Sequence, residues 1–459
     1  MSLAALSLTD AAADIRDGRI TSAELVTDCL KRVDEVEPAV QAWAFLDRDH
    51  VMRQAQAADE HRRHGRALGP LHGVPVAIKD IFDTGDYPTE FGSPLWSGRT
   101  PRQDAAAVAR LRAAGAVIMG KTVTAEYAYY HPGKTRNPHD RARTPGGSSS
   151  GSAAAVAAAM VPGAIGSQTN GSTIRPAAFC GVVGFKPTHG LIPRTGALTL
   201  SRALDHVGVF ARSVEDAALL AEVMAGHDDG DADTRPLARP PLAAAAASEP
   251  PLPPRFAFVR TPAWKFIEPV MSEAFAELID ALGEAAVEVE IGSNFENAID
   301  LHRTVMEADM AYNLHRDYEQ GGEQLSAPLR TAIERGRGVP AVDYLRAVAA
   351  AGPLNQALDS IFDEYDAILT PSAPGEAPRG LEATGNPAFC SMWTYLGTPA
   401  VSLPLMASEA GLPLGVQLVA RRDNDARLLR TARWLVKTLR QQAGRGARKP
   451  ASARKGKSR

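Results

Sequence analysis

The sequence contains little cysteine and no apolar run of membrane-spanning length. Among 459 residues there are three widely separated cysteines: Cys29, Cys180 and Cys390. This pattern fits neither a disulfide framework nor a paired metal-ligand spacing, so we expect free thiols in a reducing compartment. The longest run of small apolar residues, 153–165, is shorter than a membrane span and is broken by a Pro-Gly pair. We expect a buried helix followed by a strand there.

Charge of one sign is not in excess either. The formal net charge is −3 and the isoelectric point is near 6.4, which gives no general attraction to nucleic acid or to an anionic membrane. Residues 1–10 carry no basic residue before their short apolar run, unlike a secretory signal. We therefore expect a cytoplasmic protein with no nucleic-acid or membrane partner. The composition, 45% hydrophobic and 22% charged, is typical of a soluble chain with a large core.

Helical and extended patterns alternate along the chain. The segment Thr21-Ser-Ala-Glu24 has the spacing of a capping box, and apolar residues at helical period follow it. Residues 73–78 form a short apolar, β-branched segment, which predicts a buried strand ending in charge at Lys79. A helical pattern over 104–114 and a strand-like pattern over 116–119 come next. This alternation predicts an α/β fold.

The second half of the chain contains further predicted elements and two segments of unusual composition. Three strands and a last helix are predicted at 256–259, 365–371, 413–420 and 425–439. Residues 227–255 are crowded with Asp, Pro and Ala, and we expect a surface excursion or linker. Residues 440–459 contain eight Arg or Lys, no acid and no large apolar residue. We therefore expect one domain over 1–440 and a disordered, solvated basic tail over 441–459.

Two short motifs match known patterns but lack the required context. Residues 115–122 fit the phosphate-binding pattern GxxxxGK[ST], yet Ala, Val, Ile and Met lie between the glycines, so we expect the match to lie across a strand. Residues 147–151 fit the GxSxG nucleophile elbow around Ser149. That motif needs a strand before it and a late histidine, whereas 135–144 are loop-like and the last histidine is His315. Neither motif is expected to carry its usual function.

Lysine is scarce in this sequence, and one of the few lysines ends an apolar strand. Ten of the fifty basic residues are lysines. Burial would lower the pKa of Lys79 and make it a candidate base, while the alternative is a structural lysine paired with an acid such as Asp80. Two serine-containing, glycine-rich segments, 146–152 and 166–176, could supply a nucleophile and a second serine that carries its proton to the lysine. Ser172, in the second segment, is a candidate nucleophile.

The turn before Ser172 is suited to stabilising an oxyanion. Its residues are small or polar, and a helix is expected to begin near the serine. Consecutive backbone N–H groups in such a turn can converge on one point. We therefore predict an oxyanion hole formed by Thr169, Asn170, Gly171 and Ser172.

Together these segments resemble the amidase signature family of serine hydrolases. The matching segments are 69–80, 145–153, 166–188, 370–374, 397–404 and 411–419. The resemblance covers nearly all the chain up to residue 440. It implies an amidase signature fold, with a large mixed β-sheet core covered by helices on both faces. It also implies a Ser-cis-Ser-Lys triad in which Lys79 is the base, Ser148 the relay serine preceded by a cis peptide, and Ser172 the nucleophile. Neither a metal nor an organic cofactor is implied.

The sequence departs from the commonest family pattern around the nucleophile. Many members have Thr-Asp followed by Gly-Gly-Ser-Ile-Arg, whereas this chain has Gln168 in a Gln-Thr-x-Gly-Ser-x-Ile-Arg-Pro version. That version resembles a malonamidase-like branch, in which the arginine matching Arg175 can hold a substrate carboxylate. A scaffold salt bridge is the alternative for Arg175. Asn170 replaces a frequent glycine and either narrows the turn or adds a side-chain contact. Ser149 is a further predicted substrate contact.

The resemblance implies an amidohydrolase that cleaves a small-molecule carboxylic amide to a carboxylate and an amine or ammonia through an acyl-Ser172 intermediate. The family also hydrolyses anilides, esters and carbamates, so these activities stay open. The A subunit of the tRNA-dependent amidotransferase, which releases ammonia from glutamine with the same triad, is a further alternative, although it usually carries the Asp-x-Gly-Gly-Ser-Ile-Arg version. A non-catalytic homologue is disfavoured because all three triad residues are present. A homodimer is left open.

A group of large side chains between residues 300 and 400 has two interpretations. It consists of Met306, Met310, Tyr312 and Trp393. These residues either line the pocket for the acyl group or pack in the core, and the sequence does not choose between the two.

Overall fold

One sheet of eleven strands forms the centre of the fold in the computed structural model, which describes residues 2–446. In chain order the strands are β1 (Trp43–Phe45), β2 (Pro75–Lys79), β3 (Val117–Thr122), β4 (Gly163–Gln168), β5 (Val183–Lys186), β6 (His206–Ala211), β7 (Phe256–Phe258), β8 (Ala286–Glu288), β9 (Ala367–Pro371), β10 (Ala400–Ala407) and β11 (Pro413–Val419). Their order across the sheet is β1-β3-β2-β4-β6-β5-β10-β11-β9-β7-β8. β2 is parallel to β3 and β4, and β7 is parallel to β8 and β9. The other neighbours are antiparallel, so the sheet is mixed, as expected.

Fifteen α-helices connect and cover these strands within the described residues. They are α1 (Leu8–Arg16), α2 (Ser22–Val40), α3 (Arg48–Arg63), α4 (Ala106–Ala113), α5 (Ser150–Ala157), α6 (Ile174–Cys180), α7 (Val214–Met224), α8 (Leu242–Ala247), α9 (Pro269–Leu282), α10 (Ala298–Asn313), α11 (His315–Gly321), α12 (Ala327–Arg337), α13 (Ala341–Glu364), α14 (Ala388–Tyr395) and α15 (Asp425–Gly446). The predicted capping box is present at the start of α2, where Thr21 and Glu24 each accept a hydrogen bond from the other's backbone N–H. None of the helices between residues 2 and 446 is both long enough and apolar enough to cross a membrane.

Both faces of the central strands are covered. Every residue of β2, β3, β4, β5 and β6 is buried. Successive side chains of a strand point to opposite faces, so complete burial requires packing on both sides. The strand predicted over 73–78 is β2, and Lys79 is its last residue. The burial of β2 therefore takes the lysine side chain into the interior of the protein.

The last predicted helix ends later in the structure than the sequence suggested, and segment 227–255 contains a helix. α15 continues to Gly446 instead of ending near 439, because the residues after Arg440 include Gln and Ala, which favour helix. The first six residues assigned to a disordered tail are thus helical, and the rest of that prediction, 447–459, lies outside the described residues. Segment 227–255, expected to be a surface excursion or linker, contains the alanine-rich helix α8, which packs on α7 and α15.

The GxxxxGK[ST] match lies across a strand, as predicted. β3 covers Val117 to Thr122, and the neighbouring helix α4 comes before it. The amide groups of a strand in the middle of a sheet bond to the neighbouring strands and are not free to cradle a phosphate. The lysine of this match, Lys121, is fully buried.

Candidate active site

Lys79 ends the buried strand β2 and contacts two serine hydroxyls. Its side chain is fully buried. Nζ donates hydrogen bonds to Oγ of Ser148 over 2.7 Å and to Oγ of Ser167 over 2.8 Å. Burial lowers the pKa of Lys79 well below its usual value of 10.5, while the charge of the buried Asp205 opposes this shift. The amine can therefore act as a base at lower pH than an exposed lysine.

Asp80, the acid next to Lys79 in the sequence, has a different partner. Its carboxylate lies 3.0 Å from Nζ of Lys121, and both side chains are almost completely buried. It also accepts a hydrogen bond from the backbone N–H of Glu90. The alternative of a structural lysine paired with Asp80 is therefore wrong for Lys79, and it describes Lys121 instead.

Ser148 is positioned by the glycine-rich segment before it. The peptide bond between Gly147 and Ser148 is cis, as the resemblance implied. Gly146 has a φ of 82°, and a Cβ at this position would lie 2.8 Å from Cα of Pro176 in α6. Glycine is therefore required for the segment to approach α6 this closely. The same segment places the buried hydroxyl of Ser148 within hydrogen-bond distance of Nζ of Lys79.

Ser167 also contacts Lys79, although no motif in the sequence assigns it a role. β4 is parallel to β2 with Ile165 beside Ile78, so Ser167 lies at the same end of the sheet as Lys79. If β2 and β4 are taken as parallel neighbours, Ser167 becomes a candidate site residue, because polar residues at the carboxyl ends of such strands meet. The sequence alone does not establish that pairing.

Ser149, the predicted substrate contact, bonds to the backbone of Ser167. Its hydroxyl donates a hydrogen bond to the carbonyl of Ser167 over 3.2 Å and accepts one from the N–H of the same residue over 3.3 Å. The Ser149 side chain is fully buried. The Ser149 hydroxyl therefore holds Ser167 in place, and its contact with a substrate stays a prediction. No strand lies directly before it, so a nucleophile elbow is also excluded.

Ser172 lies in the turn between β4 and α6 and is slightly exposed, at 7%. Within residues 2–446 its hydroxyl has no hydrogen-bond partner, so the structure joins Lys79 to Ser148 but does not join Ser148 to Ser172 by a hydrogen bond. The backbone N–H groups of Asn170, Gly171 and Ser172 also have no acceptor among the described residues. Free N–H groups in consecutive residues are what an oxyanion hole requires. The predicted oxyanion hole and nucleophile stay predictions.

Gln168 caps the helix that follows the turn. Its Oε1 accepts hydrogen bonds from the backbone N–H groups of Thr173 and Ile174, each over 2.9 Å. N–H groups at this end of a helix have no partner within the helix. Nε2 of Gln168 donates to Oγ1 of Thr394 in α14 over 2.9 Å. Gln168 therefore fixes α6 against α14, and with it the turn that carries Ser172.

Asn170 adds side-chain contacts to the turn. Its Nδ2 donates to the hydroxyl of Tyr130 over 2.9 Å, and its Oδ1 accepts from Oγ of Ser391 over 2.6 Å. Two effects were predicted for Asn170, a narrower turn or an added side-chain contact, and the structure shows the added contact. A glycine at this position would leave both hydroxyls without this partner.

Arg175 is buried without an acidic partner in the described part of the chain. Nη2 donates to the carbonyl of Gly147 over 2.7 Å and to Oγ1 of Thr384 over 3.0 Å, while Nε and Nη1 have no partner there. The alternative of a scaffold salt bridge is therefore wrong. A buried guanidinium with free donors is costly unless an anion completes it. A carboxylate has the geometry to do so.

A cavity of about 1180 Å³ opens beside Ser167, and its described lining does not include Lys79, Ser148, Ser172 or Arg175. Its inner end includes the buried residues Ser167, Thr169 and Asp205, and its outer end includes Tyr312, which is 82% exposed. The volume is sufficient for a small organic molecule. The other large side chains considered for the acyl pocket pack in the hydrophobic core: Met306, Met310 and Trp393.

The chain is similar to known proteins along most of its length. The family model described as Amidase matches residues 24–429. The A subunit of the glutamyl-tRNA(Gln) amidotransferase of Chloroflexus aggregans is 34% identical, over 93% of this chain and 94% of the relative. A solved chain from a vestigial protein complex that reveals the origins of an s-triazine catabolic enzyme has 28% identity and a TM-score of 0.88, over 94% of this chain and 98% of that chain. The native peptide amidase of Stenotrophomonas maltophilia has 28% identity and a TM-score of 0.80, over 95% and 97%.

Proposed function

Because the chain belongs to the amidase family, a family of hydrolases that act on carbon–nitrogen bonds, we propose that it cleaves a small-molecule carboxylic amide through an acyl intermediate on Ser172. The observation that carries this proposal is the buried contact between Lys79 and Ser148, beside the turn that bears Ser172. A serine hydroxyl needs a base within reach to become a nucleophile. Here that base is a desolvated lysine, and the proton reaches it through a second serine.

The reaction follows from this arrangement in two halves. Lys79 takes the proton of Ser148, which takes the proton of Ser172 as its Oγ forms a bond with the amide carbon. The ammonium of Lys79 then returns the proton through Ser148 to the nitrogen, the C–N bond breaks, and an amine or ammonia leaves. Water attacks the acyl-enzyme by the same relay and releases the carboxylate.

The turn before α6 supplies the charge stabilisation that this reaction needs. The carbonyl oxygen becomes negative as Ser172 attacks, and the free N–H groups of Asn170, Gly171 and Ser172 are placed in the same turn. Donors of this kind typically contribute about 2.7 to 4 kcal/mol each to the transition state. Thr169 anchors the turn from the other side, through the hydrogen bond from its hydroxyl to Asp205.

The acyl part of the substrate carries a carboxylate in this proposal. Arg175 lies one helical turn after Ser172 and has two buried donors without a partner, Nε and Nη1. A substrate carboxylate would satisfy both donors and place the amide at a fixed distance from the serine. The malonamidase-like pattern around Gln168 and Arg175 is consistent with this substrate class.

A second candidate function is the release of ammonia from glutamine for a partner protein. It is favoured by the relative at 34% identity, which is the A subunit of an amidotransferase and matches over more than nine tenths of both chains. Glutamine also carries a carboxylate, so Arg175 fits both candidates. Gln168, which replaces the usual Asp of that subunit, favours a hydrolase that acts alone.

Labelling with a fluorophosphonate tests the nucleophile. The reagent is expected to modify Ser172 in the folded protein, which peptide mapping would detect. Ser172→Ala is expected to abolish labelling, whereas Ser149→Ala, at a neighbouring buried serine, should still be labelled at Ser172. Modification at another residue would rule out the proposed mechanism.

A substrate panel separates the two candidates. Half-amides of dicarboxylic acids, neutral amides, anilides, carbamates and glutamine should be compared by kcat/KM with the purified chain. The first candidate predicts the highest value for a half-amide without any added protein. Glutaminase activity that appears with a co-purifying partner would favour the second.

A further inference from the structure

Asp205 lies beside the turn that carries Ser172. In the antiparallel pair of β4 and β6, Gln168 is opposite His206, so the residue after Gln168 meets the residue before His206. Those two residues are Thr169 and Asp205, and the Thr169 hydroxyl donates a 2.5 Å hydrogen bond to Oδ1 of Asp205. The register of the two strands therefore places a buried carboxylate at the base of the turn.

The carboxylate of Asp205 is held in one orientation. Its Oδ2 accepts hydrogen bonds from the backbone N–H of Leu200 over 2.9 Å and of Ser201 over 3.0 Å. No lysine or arginine forms an ion pair with Asp205 in the part of the chain that the structure describes. Its negative charge is thus stabilised by neutral donors and is not cancelled by a direct partner.

Two cations, Arg194 and Lys79, lie near this carboxylate, and they are placed differently. Arg194 donates a hydrogen bond to the backbone carbonyl of Asp205, but its guanidinium pairs with the carboxylates of Asp231 and Asp233. Lys79 has no acidic partner within ion-pair distance among residues 2–446. It contacts Ser167 near the end of β4, at the end of the β4–β6 pair where Asp205 lies, and the charge of Asp205 opposes the lowering of the pKa of Lys79. Of the two cations, Lys79 therefore depends more on Asp205 for its compensating charge.

We propose that Asp205 is a positioning residue for amide hydrolysis: it fixes the turn of Ser172 through Thr169, and its charge stabilises the ammonium that Lys79 becomes during the reaction. This inference rests on the proposed function. Lys79 must gain a proton when Ser172 attacks, and a buried ammonium without an opposite charge is costly. A fixed carboxylate lowers that cost in the transition state, where the ammonium is formed.

The charge effect predicts a direction for the pH dependence. Burial lowers the pKa of Lys79 and Asp205 raises it, so removing the carboxylate should lower this pKa further. Burial raises the pKa of Asp205 to about 6, which leaves it ionised at neutral pH. The nearby His302 donates to the Thr169 carbonyl, and burial lowers its pKa to about 4. Burial also lowers the pKa of His206 well below its usual value, so both imidazoles stay neutral over pH 6 to 9.

The test uses the rate at which a fluorophosphonate inactivates the full chain, measured from pH 5 to 10. Attack on this probe forms the Ser172 O–P bond, expels fluoride and passes the serine proton to Lys79, so the amide substrate need not be known. Asp205→Asn removes the charge and keeps the size of the side chain. The acid limb of the inactivation profile is expected to move to lower pH by about one unit. The plateau rate should fall roughly tenfold, because a weaker base takes the proton.

Two further variants separate the charge from the hydrogen bond. Thr169→Val removes the hydroxyl and leaves the carboxylate, so the plateau rate should fall without a shift of the acid limb. Asp216→Asn is the matched control: this buried acid also accepts hydrogen bonds from a threonine hydroxyl and a backbone N–H, both of Thr9, but it lies away from the cavity and contacts no residue of the triad. Its profile should coincide with that of the unmodified protein.

Several outcomes would overturn the inference. These are an unchanged acid limb in Asp205→Asn, an equal shift in Asp216→Asn, or an unchanged plateau in Thr169→Val. The last result remains informative even if Asp205→Asn does not fold. A failure of the proposed function is distinguishable from all three, because the unmodified protein would then not be labelled at Ser172.

Discussion

The guanidinium of Arg175 donates a 2.7 Å hydrogen bond to the carbonyl of Gly147, the residue directly before Ser148. Arg175 lies in the first turn of α6, three residues after Ser172. The contact therefore links the segment of Ser148, the proposed relay serine, to the helix that follows the proposed nucleophile. Because Nε and Nη1 of Arg175 remain without a partner in the described chain, one side chain can hold the two serine segments together and bind a substrate anion.

Replacing Arg175 should affect acidic substrates more than neutral ones. Arg175→Ala is expected to lower kcat/KM for half-amides by about 100-fold more than for neutral amides of similar size, because a buried charge pair is lost only with the acidic substrates. Neutral amides should also react more slowly, since the contact with Gly147 is lost. Steady-state kinetics on matched pairs of substrates would measure the difference.

Thr384→Val is the control for this prediction. It removes the other acceptor of Nη2 and keeps the guanidinium in place. We expect it to lower kcat/KM for acidic and neutral amides by the same factor. If Arg175→Ala also reduces both classes equally, Arg175 does not bind a substrate carboxylate.

Lys79→Ala should abolish turnover in a folded protein. General-base catalysis contributes roughly 10²- to 10⁴-fold, and Lys79 is the residue that contacts Ser148. The neutral amine is the active form, so the rate of the unmodified protein should rise with pH through the lowered pKa of Lys79, and this limb should vanish in the variant. Circular dichroism would establish folding. Near-normal activity at neutral pH would exclude the relay.

Ser167→Ala should weaken the site without destroying it. Lys79 would keep its contact with Ser148 and lose the second one, so its amine would be held less firmly. We expect kcat to fall about tenfold, the effect of one buried hydrogen bond. Ser152→Ala is a suitable control, because this buried serine bonds to Thr122 and not to Lys79. Equal losses in both variants would indicate a general packing effect.

The local elements of the site follow from the sequence. A short apolar segment bounded by glycine is sufficient to predict β2 and the burial of Lys79, since such a run cannot face water along its length. The glycine-rich segment around Ser148 and the turn of Ser172 are predictable for a different reason: their glycines permit backbone conformations that other residues rarely adopt. These features need no knowledge of the rest of the chain.

Contacts between distant segments were not predictable in this way. Ser167 reaches Lys79 because β4 is parallel to β2, and Asp205 reaches Thr169 because of one register of β4 and β6. Both pairings depend on the order of strands in the whole sheet. The length of α13 is also not predictable from local preference. This helix continues through Gly352 and Pro353, residues that usually end a helix, because tertiary packing overrides the local preference.

The buried pair of Asp80 and Lys121 should be important for stability. Asp80→Asn would leave the ammonium of Lys121 in the interior with the carbonyl of Pro88 and the hydroxyl of Thr89 as its partners. Removing one member of a buried pair typically costs about 3 to 5 kcal/mol, because the remaining charge is uncompensated. We expect a loss of this size in the free energy of unfolding, measured by urea denaturation.

Asp86→Asn is the matched control. Asp86 pairs with Arg112 near the surface and should contribute less than about 1 kcal/mol. A loss for Asp80→Asn no larger than that of the control would mean that Lys121 is stable in the interior without its carboxylate.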